Sequence, residues 1–176
     1  PTGRWMIPES EIERIIGGGE GVKEVRAVIY ARVSSSDQKS DLERQVQYLT
    51  QYCTVKGYRV VVILSDVASG LKANRRGLQK LFNYVVNKQV DVVVIAYEDR
   101  LTRFGFEYLE YFFKQYGVRI EVVYGEEPKE AYQEFAEDLL AIVTSFAGRL
   151  YGVKSRKKRR LVRGFKQLLE EVEESG

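Results

Sequence analysis

Val28-Ile29-Tyr30-Ala31-Arg32-Val33-Ser34-Ser35-Ser36-Asp37-Gln38 is the stretch from which the rest of the chain is read. A β-branched run closes in an arginine, three consecutive serines and a polar turn, and a helical pattern follows. This describes a strand delivering its carboxyl end to a loop. In an open α/β sheet, ligands meet the backbone at that end. A serine hydroxyl held there beside an arginine is placed to approach a phosphate.

Outward from this stretch, strands and helices alternate. Val25 to Val33 reads as the first strand, and residues 41–56 carry Leu42, Val46, Leu49 and Cys53 at helical spacing, with Gly57 as the stop. Tyr58 to Leu64 is a continuous apolar run, the pattern of a strand covered on both faces. A polar loop from Asp66 to Arg75 leads to a helix from Arg76 to Asn87, with Leu78, Leu81, Phe82 and Val85 on one face. Val90 to Tyr97 reads as a strand, Phe104 to Tyr116 as an aromatic helix ended by Gly117, and Val118 to Tyr124 as a last strand. The alternation predicts an α/β fold, a mostly parallel sheet with helices on both faces joined by right-handed crossovers. The loops after the first three strands then open on one edge. They gather Arg32, Ser34, Gln38, Asp66, Arg75, Asp99, Arg100 and Arg103 around a single cleft.

The catalytic core is expected over 25–127, preceded by the remnant of a removed module at 1–16 and a flexible Gly-rich linker at 17–24. From Pro128 to about Arg163 a single long helix is expected. Tyr132, Ala136, Leu139, Val143, Phe146, Leu150 and Val153 follow a 4-3 spacing along it, a coiled-coil-like seam. A helix of ~30 residues is ~45 Å long and outruns a small domain. Its distal apolar positions, Leu139, Val143, Phe146, Leu150 and Val153, therefore predict self-association. Lys154, Arg156, Lys157, Lys158, Arg159 and Arg160 then form a concentrated basic stretch, which charge alone reads equally as the electrostatic footprint of a nucleic-acid partner or as a solvated helix end, before a helical tail over 164–176.

Composition removes several chemistries. The 176 residues contain no histidine, so Ser–His catalysis and His-ligated zinc are excluded within this chain. The one cysteine, Cys53, cannot form an internal disulfide, and no apolar run approaches the ~20 residues of a membrane span. A cytoplasmic protein is expected, with no membrane partner. Carboxylates are not spaced to hold two magnesium ions, so no metal site is expected. Arginines around a serine fit phosphoryl transfer, because guanidinium forks stabilise the charge that builds on a phosphodiester under attack. Two other readings compete. A phosphate-ligand or nucleotide module lacks a Gly-x-Gly-x-x-Gly or Gly-Lys-Ser/Thr loop here. A non-catalytic DNA-bridging assembly protein has no need of Ser34 amid four arginines.

Three ordered motifs bring a family into view. Tyr30 to Gln38, Asp66-Val67-Ala68-Ser69-Gly70 followed by Arg75-Arg76-Gly77-Leu78, and Asp99-Arg100-Leu101-Thr102-Arg103 together resemble the serine recombinases, the resolvase/invertase family. The resemblance implies Ser34 as a nucleophile that joins itself to a DNA 5′ phosphate and releases a 3′ hydroxyl. It implies Arg32, Arg75, Arg100 and Arg103 as the phosphate grip, supported by Gln38, Gln45, Asp66 and Asp99. No cofactor is implied. Double-stranded DNA is the implied partner, with a homo-oligomer that is a dimer in isolation and a tetramer when active. Arg149 matches a family arginine near DNA. The stretch from Pro1 to Ile12 is similar to the tail of a MerR-like winged helix, and Arg149 to Ser155 looks like one class of insertion-sequence transposase. A two-residue extension around Lys39-Ser40 bears on the placement of Gln45.

Overall fold

The computed structural model describes residues 23–125 and 129–174. The expected head over 1–16 and the linker up to residue 22 lie outside the described residues. Strands β1 (Arg26–Val33), β2 (Arg59–Val67), β3 (Val92–Ile95) and β4 (Arg119–Val122) form one sheet in the order β2-β1-β3-β4, with every pairing parallel. The helices are α1 (Lys39–Val55), α2 (Arg76–Val86), α3 (Glu98–Leu101), α4 (Phe106–Gln115), α5 (Lys129–Tyr151) and α6 (Arg156–Glu174). The α/β alternation read from the sequence is thus the architecture of the chain.

Alternation along β1 divides the core. Ala27 and Ile29 face one layer with Leu49 and Cys53 of α1 and Val92 and Val94 of β3. Val28 and Tyr30 face the other, with Leu78, Leu81 and Val85 of α2 and Phe113 of α4. Successive side chains of a strand point to opposite faces, so a central strand buried on both sides must be apolar throughout. Cys53 is one of these packed residues, and burial raises its thiol pKa to about 11. From Ala27, β1 runs apolar until Arg32, which is itself fully buried. That departure marks where the apolar core gives way to the polar strand end.

Two expectations need correction. β2 is an edge strand, not one covered on both faces: Val61, Ile63 and Val67 stay exposed. Helix α1 packs chiefly over β1, and a register shift between Ala27 and Val28 offsets β2 from it. An unbroken Val/Ile run therefore does not distinguish a central from an edge position. The second correction concerns the long helix. It spans Lys129–Tyr151 and ends there, so the 128–163 span is two elements, and the 164–176 tail is not separate as far as Glu174.

The break has a local cause. Gly152 adopts a positive φ of 76°, its N–H donates to the Gly148 carbonyl, and Ser155 Oγ accepts from the Lys157 N–H at 3.1 Å. A left-handed glycine closes one helix and a serine cap opens the next. Helix α6 then folds back against α5, with Lys158 beside Gly148. Val143 and Phe146 of α5 share a groove with Leu161, Phe165 and Leu168 of α6.

A tight approach elsewhere gives the first prediction. A Cβ on Gly77 would stand 2.7 Å from Asp66 Oδ2 and 2.8 Å from the Ser65 carbonyl oxygen. Gly77→Ala is expected to lower stability by about 2 kcal/mol, the cost of overpacking a dense core, read as a reduced urea midpoint with an unchanged slope.

Candidate active site

Ser34 follows the last residue of β1 and is half-buried. Its hydroxyl accepts a hydrogen bond from Arg32 Nη1 at 3.3 Å. Gln38 holds the loop: its Oε1 accepts from the backbone N–H of Ser34 at 3.0 Å and of Ser35 at 3.3 Å. Gln45, one turn into α1, donates from Nε2 to the Arg32 carbonyl at 3.3 Å, so the extension around Lys39-Ser40 leaves it at the strand end. Both glutamines thus fix backbone around the serine.

Helix α3 supplies the remaining charge. Asp99 is buried, and its carboxylate accepts from Arg100 Nε (2.9 Å) and Nη2 (2.6 Å), Arg103 Nη1 (3.2 Å) and Arg32 Nη2 (3.4 Å). Arg32 also donates to the carbonyls of Ala68 and Asp99, and Arg100 Nη1 to the Arg32 carbonyl. Burial first, and then the neighbouring Arg100 charge, lower the Arg32 pKa to about 10. It remains a cation at neutral pH. Concentrating three guanidiniums is costly without an anion among them, and Asp99 meets that need.

Arg75 and Asp66 stand behind this trio. Arg75 donates to the Tyr30 hydroxyl at 2.9 Å and to the carbonyls of Lys72, Arg100 and Leu101. It braces the α3 turn from the core side. Asp66 accepts from the backbone N–H groups of Gly77 and Leu78 and from the Tyr30 hydroxyl, each at 2.9 Å. It anchors the start of α2 and supports Arg75 through the Tyr30 hydroxyl. Burial and the Asp66 carboxylate raise the Tyr30 pKa, burial being the larger cause, although the Arg75 charge opposes them.

Four further residues belong to the site and were not singled out from the sequence. Tyr30 links Asp66 to Arg75. Glu134 and Asp138, on the first turns of α5, pair with Arg32, Arg100 and Arg103, and Ser69 Oγ donates to Asp138 Oδ1 at 2.6 Å. The available signals were a hydroxyl on a buried strand and two acids four residues apart on the sheet-proximal end of an amphipathic helix. Among the described residues, no group of three or more Asp, Glu, Cys or His side chains is arranged to hold a metal ion. None of the described helices is long and apolar enough to cross a membrane.

The expected DNA and association surfaces lie on the helical hairpin. Arg149 is exposed near the end of α5, Lys154 lies in the connecting turn, and Arg156, Lys157, Arg159 and Arg160 are exposed on the first turns of α6, with Lys158 half-buried. Leu139 and Val143 are half-buried, while Phe146 and Leu150 remain 58% and 57% exposed. Val153 lies beyond the helix end, off the expected seam.

A serine at a strand's carboxyl end, bonded to one of three converging arginines, can be set beside known proteins. The family model for the resolvase N-terminal domain matches residues 27–164. The chain belongs to the resolvase family. A putative resolvase, R771, of Acanthamoeba polyphaga mimivirus is 38% identical over 129 residues, covering 73% of this chain and 65% of the relative. The chain therefore spans just under two thirds of that relative's length. Among solved structures, the C-terminal catalytic domain of ISC1926 TnpA, an IS607-like serine recombinase, superposes with a TM-score of 0.78 at 64% identity. That match covers 83% of this chain and 99% of the other. A serine recombinase from Sulfolobus solfataricus gives 0.68 at 43% identity, over 84% and 98%.

Asp99 gives the site's own prediction. Asp99→Asn leaves three guanidiniums in place and removes the more deeply buried of the two carboxylates they share. A loss of about 3 kcal/mol is expected, as when one partner of a buried ion pair is removed, measured by urea unfolding followed by circular dichroism.

Proposed function

We propose that this resolvase-family chain cleaves and rejoins DNA through a 5′-phosphoserine intermediate formed at Ser34. The observation that carries the reading is the bond from Arg32 Nη1 to Ser34 Oγ, made by one of three guanidiniums that converge on one point. Ser34 Oγ attacks the phosphorus, the Oγ–P bond forms and the P–O3′ bond breaks. The hydroxyl proton is lost from the serine and the departing 3′ oxygen gains one, so no net proton is consumed. The phosphoester conserves the bond energy for resealing by another 3′ hydroxyl. Charge that develops on the non-bridging oxygens is met by Arg32, Arg100 and Arg103, which are already oriented and desolvated.

The other residues take supporting roles in this reading. Gln38 and Gln45 hold the serine loop and strand end, and Asp99 holds the arginines together. Asp66, Tyr30 and Arg75 tie α2 and α3 to the core. Double-stranded DNA meets the basic start of α6, where the positive end of the helix dipole and the arginine cluster add to one another. Phe146 and Leu150, exposed along α5, are the self-association surface of a homo-oligomer.

Two outcomes test this. The protein is incubated with supercoiled DNA carrying its element's ends and quenched with denaturant. A covalent adduct is expected from the wild type and at least a thousandfold less from Ser34→Ala; an undiminished adduct moves the nucleophile elsewhere. For association, Phe146→Asp is expected to lower the mass seen by light scattering with the circular dichroism retained, because a carboxylate buried in an apolar contact is costly.

A further inference from the structure

Helix α5 meets the sheet domain through acid groups. Glu134 Oε2 lies 3.2 Å from Arg103 Nη2, 3.4 Å from Arg100 Nη2 and 3.6 Å from Arg32 Nη2. One turn further on, Asp138 Oδ2 accepts from Arg103 Nε at 3.0 Å, and its Oδ1 accepts from Ser69. Phe135 adds an edge contact to Phe104.

We propose that Glu134 occupies the seat of the scissile phosphate, and that DNA is admitted only when α5 withdraws this carboxylate. The inference rests on the function proposed above. Three observations carry it. A single oxygen shared by three guanidiniums is the arrangement a non-bridging phosphate oxygen requires. Unlike Asp99, which sits on the same short helix as Arg100, Glu134 comes from a separate element, α5. The site is also not fully satisfied as it stands. Arg32 Nε and Gln45 Oε1 are buried without a hydrogen-bond partner among the described residues. Of the two, Arg32 Nε–H is a donor that a phosphate oxygen can reach, whereas Gln45 Oε1 is an acceptor and adds nothing to the case for an anion. Beside Gln45 is a cleft of roughly 590 Å³, lined by Gln38, Gln45, Arg100 and Glu134 among others, large enough for a phosphodiester.

Anion competition gives the test its sign. Glu134→Gln keeps the shape of the side chain and removes the charge. Removing any carboxylate beside these arginines favours an anion electrostatically, so the reference is Asp138→Asn, which removes a charge beside Arg103 without vacating the seat. If Glu134 fills the phosphate seat, its substitution strengthens binding by more than that reference does. Inorganic phosphate is titrated into the full chain while the Nε–H signals of Arg32, Arg100 and Arg103 are followed by NMR. Glu134→Gln is expected to bind phosphate at least tenfold more tightly than the wild type. Ser69→Ala, which frees Asp138 without touching an arginine, is expected to show a smaller gain, and Glu107→Gln, an exposed acid on α4, none. Phosphate binding by folded Glu134→Gln no tighter than that of Asp138→Asn overturns the proposal. Should that variant not fold, Ser69→Ala decides by the same sign. Because phosphate binding needs no chemistry at Ser34, the two readings separate. Tighter binding without any Ser34-dependent DNA adduct would refute the recombinase mechanism and leave the phosphate seat standing.

Discussion

A buried carboxylate, Asp99, is the constraint on which the arginine cluster at the strand ends depends. It accepts hydrogen bonds from Arg32, Arg100 and Arg103, and those arginines in turn cap the backbone of β1, the Ala68 turn and α3. Guanidiniums repel one another and resist leaving water, so three can share a buried space only around an anion. Here the anion is supplied twice, once by the core at Asp99 and once by the long helix at Glu134. The first holds the arginines in register whatever α5 does. The second couples the position of α5 to the electrostatics of the cleft.

The layering of the fold was legible because it follows from periodicity. Alternating strands and helices with Gly57 and Gly117 at helix ends lead to the parallel sheet, and the motif from Tyr30 to Gln38 marks its active edge. What escaped was decided by contacts distant in sequence. Whether Val60 to Leu64 is central or at an edge depends on strand order, which no local pattern encodes. The stop at Gly152 was masked because the 4-3 apolar spacing continues through Val153, although the Gly-Val-Lys-Ser run carries both a closing and an opening cap. Glu134 and Asp138 read as solvated acids on a helix face until the fold brings Arg103 against them. The arginines themselves were found by residue type, but the division of labour between Arg75, which braces, and Arg32, Arg100 and Arg103, which converge, depends on which carbonyls lie within reach.

The hairpin and the sheet domain differ in how they are held. The sheet domain has two apolar layers on either side of β1, whereas α5 is attached through charged groups near its start, with Ala131 buried and Phe135 at an aromatic edge. Ion pairs and a few short contacts are easier to exchange than a packed core, since water or another anion can replace each partner. On the proposed function, an element fastened this way can be released without disturbing the core.

The turn at Gly152 also sets a ruler. From Asp138, beside the arginines, to Tyr151 at the hairpin tip is thirteen residues, or about 20 Å along the helix axis. At ~3.4 Å per base step this is about six steps of duplex. While α5 stays docked as it is here, the basic turn and the arginine cluster therefore reach points no farther apart than roughly half a helical turn along a duplex. On the proposed reading that span changes once α5 withdraws, so the reach of the hairpin along DNA depends on where α5 sits.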